Sequence, residues 1–180
     1  MSKVVMILRT IGKNKLLRNS VFIGSIFSAS EFTQETILGY EKYDWAKIGR
    51  FAVFGFFCNG PFNYTWFRFL DKIMPGNAGR TAVTKVVFDQ LFAAPIIAGG
   101  FFVVMDILER KEDILHDAKQ KTLPSWLAGL AFWPPAQLVN FKFVSPQFRV
   151  AYVGIVAYIW TNFLCYMRRK DIHFTIGSSK

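Results

Sequence analysis

Along this chain, long uncharged stretches alternate with short charged ones. One uncharged run covers 19–30 and continues past acidic residues to Leu38. A second, 51–67, lies between Arg50 and Arg68, and a third, 86–105, is interrupted only by Asp89. A fourth, 122–141, is bounded by Lys121 and Lys142, and a fifth, 150–167, by Arg149 and Arg168. A membrane span needs about 20 mostly apolar residues at a rise of about 1.5 Å each. Three of the five runs are near that length, and the others approach it with their flanks. In lipid each backbone polar group must be bonded within its own segment, so the runs read as helices, and nothing alternates with the period of two that a barrel needs. The pattern therefore predicts an all-α, polytopic membrane helix bundle over 1–180, a single domain of four or five transmembrane helices, some of them proline-kinked.

The last two runs are the ambiguous pair. Between them "FWPPAQLVNFKFVSPQFR" (132–149) carries a Pro134-Pro135 pair expected to break the helix, and Pro146 marks a turn or an exit. The connections read as short. The segment 71–81 holds Pro-Gly and Asn, a strong turn signal. The segment 106–126 sets Ile107, Leu108, Ile114 and Leu115 among charges, as in a short amphipathic surface helix or a solvated one. The N-terminal segment 1–18 has five basic residues (Lys3, Arg9, Lys13, Lys15, Arg18), and no acid occurs before Glu31. That suits a mitochondrial targeting segment or the ordinary positive flank of a first span. The tail 170–180 reads as loose.

Composition sharpens this picture. Apolar residues make up 52% and aromatics 17%, rich for a soluble domain, and the formal net charge is +10. Those charges sit between apolar runs and form no stripe, so anionic lipid is the expected partner and nucleic acid is not. Cys58 and Cys165 lie inside apolar runs as small hydrophobes. No phosphate loop, Gly-x-Ser-x-Gly or His/Cys cluster of ligand spacing appears, and nothing places a nucleophile beside a base. Neither an enzyme nor a cofactor or metal is expected.

The chemistry lies in polar residues where lipid should be. Glu31, Gln34 and Glu35 share one face of the first helix, which Gly24 and Ser28 continue. Asn59 and Asn63 are one turn apart in the second, around Gly60 and Pro61. The third carries Asp89 and Gln90 before Pro95, with Lys85 four residues ahead as a candidate ion-pair partner for Asp89. Gln137 and Asn140 follow the proline pair. Such groups face a bundle interior or water, so they either line a path for ions or small metabolites or bond helices together. Gly24/Ser28 and Gly99/Gly100 suit a homo-oligomer or contacts within one chain.

These residues resemble the Mpv-seventeen family of small integral membrane proteins, over roughly 17–169. Trp133, Pro134, Gln137, Asn140, Phe141, Val144, Arg149 and Tyr152 match its signature W-P-x-x-Q-x-x-N-F-x-x-V-P-x-x-[WFY]-R-x-x-[YF], with Pro146 one position past the signature's second proline. Asp89, Gln90 and Pro95 match D-Q-x-x-x-x-P, and Gly60, Pro61 and Trp66 match G-P-x-x-H-x-W-Y. Tyr64 stands where most members have His, which brings the chain nearest the Mpv-seventeen-like subgroup. The resemblance implies a four-span protein of the mitochondrial inner membrane or the peroxisomal membrane. It also implies a weakly selective channel, linked to mitochondrial DNA maintenance and reactive-oxygen metabolism. A non-conducting scaffold of a membrane complex is the competing expectation.

Overall fold

The computed structural model describes residues 13–169, with side chains to 162. The basic positions Lys3 and Arg9 and the tail 170–180 lie outside the described residues, as does the Cys165 side chain. All regular structure among the described residues is helical.

Helix α1 (Lys15–Leu38) starts where the Asn14 side-chain oxygen accepts from the backbone N–H of Leu16 and Leu17 at 3.0 and 3.2 Å. It stops at Gly39, whose φ of 74° is a left-handed cap that a side chain would oppose. Lys15 and Arg18 of the basic segment thus belong to the first helix. Helix α2 (45–73) is capped by Asp44, whose Oδ1 accepts from Lys47 N–H at 2.9 Å. Helix α3 (Gly79–Leu108) follows the turn at Pro75-Gly76. Helix α4 (His116–Phe143) and helix α5 (Arg149–Arg169) are joined through a 3₁₀ turn at Pro146–Phe148. Among the described residues five helices therefore account for the five runs, and the ambiguous pair resolves into two. Of them α3, at 30 residues, is the one long and apolar enough by composition to cross a membrane.

Two expectations need correcting, and the prolines at 61 and 95 gain a local geometry. Pro134 and Pro135 do not break α4, which continues through them and through Pro124. Each proline deletes one rung of the ladder but keeps a helical φ, and the flanking rungs carry the helix on. The segment 106–126 holds no separate surface helix: α3 reaches Leu108 and α4 begins at His116. Pro61 and Pro95 are accommodated by widened turns. The backbone is π-helical over Phe54–Asn59 and Asp89–Ala93, each ending just before the residue that precedes the proline. In these turns Gly60 N–H reaches Gly55 O, and Ala94 N–H reaches Asp89 O, five residues back.

The chain runs back and forth between two ends. One holds the loops 74–78 and 144–148, the other the loops 39–44 and 109–115. Helix α1 packs against α2 and α5, and α3 along α4. Small residues let α1 and α2 cross closely: a Cβ on Gly60 would lie 2.7 Å from Ser20 Cα, and one on Gly55 would lie 2.9 Å from Gly24 Cα. The Gly24 face is thus used within the chain. A compact core of Ile23, Phe67, Leu70, Ala82, Val86, Phe141, Val150 and Val153 fills the end near the 74–78 loop.

Burial is inverted relative to a water-soluble protein. Among the described residues, 14 polar or charged side chains are buried against 12 hydrophobic ones, while Phe57, Leu91, Ile96 and Phe143 lie outside. Ion pairs gather at both ends. Arg50 to Asp71, Lys85 to Asp106, and Lys121 to Lys142 are each 21 residues apart, on α2, α3 and α4. At about 1.5 Å per residue that is about 32 Å of helix between charged belts.

Candidate functional site

The widened turns aim polar side chains inward at one level. Proline removes the N–H that would continue each turn, and on α3 the carbonyl left over is that of Gln90. Trp126 of α4 supplies the missing donor: its Nε1–H bonds Gln90 O at 2.8 Å. Asp89 opens this turn and is 4% exposed. Its Oδ1 accepts from Trp66 Nε1 at 3.1 Å, and its Oδ2 accepts from Gln90 Nε2 at 3.0 Å and Gln137 Nε2 at 2.8 Å. Asn140 Nδ2 in turn donates to Gln137 Oε1 at 2.9 Å. On α2, Asn63 Nδ2 donates to the backbone and side-chain oxygens of Asn59 at 3.0 and 2.7 Å.

Asn59, Asn63, Asp89, Gln90 and Gln137 form the polar floor of a cavity of about 330 Å³ to which all five helices contribute. Its walls are apolar and aromatic, with Phe27, Phe54, Phe101, Trp126, Trp133 and Trp160 among them. Along α3 the lining runs from Asp89 to Phe102, about 20 Å of helix. Beyond the floor, toward the 74–78 loop, the core closes the chamber. There Phe67 and Phe141 meet edge to face at 5.7 Å between ring centroids.

The expected Lys85–Asp89 pair does not form. The long Lys85 side chain reaches back to the 74–78 loop, donating to Asp71 Oδ1 at 2.7 Å and to Gly76 O at 3.1 Å, while neutral donors occupy Asp89. Arg149 shares the same Asp71 oxygen and bonds Asn77 Oδ1 at 3.0 Å and the carbonyl of Val144 at 3.3 Å. Lys85 and Arg149 are both wholly buried and both lie over the Phe141 ring. Asp71 and Trp126 went unnoticed in the sequence and Asn77 read only as a turn residue, because an isolated Asp, Asn or Trp carries no periodic signal. Arg149 read as a flank and as part of the family signature, with no partner assigned.

Glu31, Gln34 and Glu35 lie outside the chamber lining, near the 39–44 loop. Buried Glu31 pairs with Lys47, and Glu35 Oε2 accepts from Asp44 N–H at 3.0 Å. These carboxylates hold the α1–α2 connection. At the 109–115 end, buried Asp106 accepts from Lys111 Nζ at 2.6 Å and from Asp117 N–H at 3.4 Å, tying the start of α4 to the end of α3. Salt bridges from Lys121 and Lys111 lower the Asp117 carboxyl to about 2, and those to Asp106 and Asp117 raise the Lys111 ammonium.

The family motifs thus meet in space. Trp66, Asp89–Gln90 and Gln137–Asn140 form one network, Pro95 frees the carbonyl that Trp126 takes, and Phe141, Pro146 and Arg149 build the closed end. The family model for "Mpv17 / PMP22 family" matches residues 106–165. An Mpv17-like protein of Xenopus laevis is 33% identical over 87% of this chain and 78% of its own length. Protein sym1 of Aspergillus oryzae is 32% identical over 89% of this chain and 95% of its own. Peroxisomal membrane protein 2 of Bos taurus is 29% identical over 69% of this chain and 64% of its own. No solved structure matches. With two relatives above 30% identity along most of their lengths, and with these motifs converging on one site, the chain belongs to the Mpv17 / PMP22 family of membrane proteins.

Proposed function

We propose that this chain is a five-span protein of an organellar membrane and that the chamber is the closed form of a path for ions or small metabolites. The 21-residue spacing between charged belts supports the spans, since about 32 Å of helix suits a hydrocarbon core of about 30 Å. Inverted burial supports them too. The observation that carries the path is the convergence of buried polar groups from α2, α3 and α4 on one cavity. Such groups are costly in a membrane and are tolerated where they serve a cavity or bond one another. The mitochondrial inner membrane is the proposed location, with the peroxisomal membrane as the alternative. Lipid and the conducted solute are the proposed partners, and no catalysis is assigned.

The test is conductance of the purified protein in a planar bilayer beside Asn63→Asp and Glu31→Gln. Discrete openings whose cation preference rises in Asn63→Asp and stays unchanged in Glu31→Gln support the path. A silent bilayer with folded, inserted protein refutes it. One observation favours the competing scaffold reading: through three hydrogen bonds Asp89 ties α2, α3 and α4 together. On that reading no variant conducts, and Gln137→Leu loses assembly.

A further inference from the structure

The chamber floor has an imbalance that its own residues do not resolve. Asp89 accepts three hydrogen bonds, all from neutral donors, and no salt bridge reaches it among the described residues. Lys85, one turn away, is committed to Asp71. On the floor, three further polar atoms of nine-tenths buried side chains accept or donate no hydrogen bond among the described residues: Asn63 Oδ1, Gln90 Oε1 and Asn59 Nδ2, with Asn140 Oδ1 likewise unpartnered behind it. Their orientations are fixed by chemistry. Gln90 must present its N–H to the Asp89 carboxylate, and Asn63 must present its N–H to the Asn59 carbonyl, so in both an oxygen is left free. The floor therefore offers one carboxylate without a counter-cation and two vacant carbonyl acceptors, at the bottom of an apolar, aromatic chamber.

From this we infer that the chamber binds an amphiphilic amine: a protonated primary amine on an apolar, preferably aromatic body. The ammonium group carries only donors and a positive charge, which matches vacant acceptors beside an uncompensated carboxylate. In a water-poor site that charge match outweighs the single unmatched donor of Asn59. The apolar body fits walls that include Trp133, Phe54 and Phe101, and aromatic faces also favour a cation. A hydrated inorganic ion finds no such fit along those walls, and an anionic amphiphile meets Asp89 as a like charge. The volume, about 330 Å³, falls in the range of small-molecule pockets. The inference rests on the chamber being the functional site, and it names the class of solute the chamber holds.

The experiment uses the full chain in lipid nanodiscs and three probes with one body and different heads: 4-phenylbutylamine, 4-phenylbutan-1-ol and 4-phenylbutyrate. Binding is read by quenching of tryptophan fluorescence and by the shift in unfolding temperature, with empty nanodiscs subtracted for partitioning. The amine is expected to bind at least tenfold more tightly than the alcohol, and the carboxylate more weakly still. Asp89→Asn should bring the amine down to the level of the alcohol. Ala98→Phe, which fills the chamber wall, should remove binding of all three, and Glu31→Gln, a carboxylate outside the chamber, should change nothing. If Asp89→Asn does not fold, Asn63→Leu replaces it, with a loss of amine preference expected. Equal binding of the three heads overturns the inference, as does a preference that survives both floor variants or one erased by Glu31→Gln. Amine binding without conductance upholds the ligand site and refutes the conducting path; conductance without head preference does the reverse.

Discussion

Replacing Trp126 by Phe isolates one hydrogen bond with a defined origin. The ring stays and the N–H goes, leaving Gln90 O without the donor it takes because Pro95 has none. A buried acceptor left unpaired costs about 1–3 kcal/mol, while interhelical hydrogen bonds in membrane proteins average about 0.6 kcal/mol. A loss of about 1–2 kcal/mol is therefore expected. At about 2–4 °C per kcal/mol, the unfolding temperature in nanodiscs falls by about 2–8 °C. Pro95→Ala restores a backbone N–H in reach of the same carbonyl, so Trp126→Phe in that background should cost less than half as much. The coupling, about 0.5–1.5 kcal/mol, is read from the double-mutant cycle. Equal losses in both backgrounds would refute the claim that Trp126 stands in for the proline's missing donor.

Other outcomes follow from the same structure. Gly60→Ala drives a Cβ to 2.7 Å from Ser20 Cα and should cost about 1–3 kcal/mol in thermal unfolding, whereas Gly100→Ala meets open space and should be near neutral. Asp71→Asn leaves Lys85 and Arg149 buried without a carboxylate and should destabilise by about 3–5 kcal/mol, with Asp71→Glu recovering part of the loss. Because the Asp117 carboxyl is lowered to about 2, its contribution is complete above the ordinary aspartate value and is lost as pH falls through about 2. Limited proteolysis with pepsin should leave the 109–115 loop intact near pH 4 and cut it near pH 2. Asp117→Asn should remove that protection at the higher pH.

Uncharged runs between charged flanks located the five helices among the described residues. The same spacing told which polar residues were out of place, and five of the nine candidates do meet at the chamber floor. Partners were harder to read. Lys85 and Asp89 are four residues apart, a separation that invites an ion pair within one helix, yet Asp71 lies nearer in space and far along the chain. Glu31 and Glu35 share a face with Gly24, but that face passes from a close helix crossing to a loop anchor within two turns. The prolines gave the expectation of kinks. Whether a proline bends, breaks or widens a helix depends on which neighbour satisfies the freed carbonyl, and Trp126 is 36 residues away from the carbonyl it serves.

On the five-span reading proposed above, the charged belts also set a mechanical constraint. About 32 Å separates them on three neighbouring helices that are tied together by ion pairs, so no one helix can tilt to adjust alone. In a bilayer a few ångströms thinner, the whole bundle must lean or the lipid must stretch around it, at a fraction of a kcal/mol per ångström of mismatch. Three helices paying that mismatch together make the protein a gauge of hydrocarbon depth, with a thermodynamic preference among membranes that needs no receptor to read it.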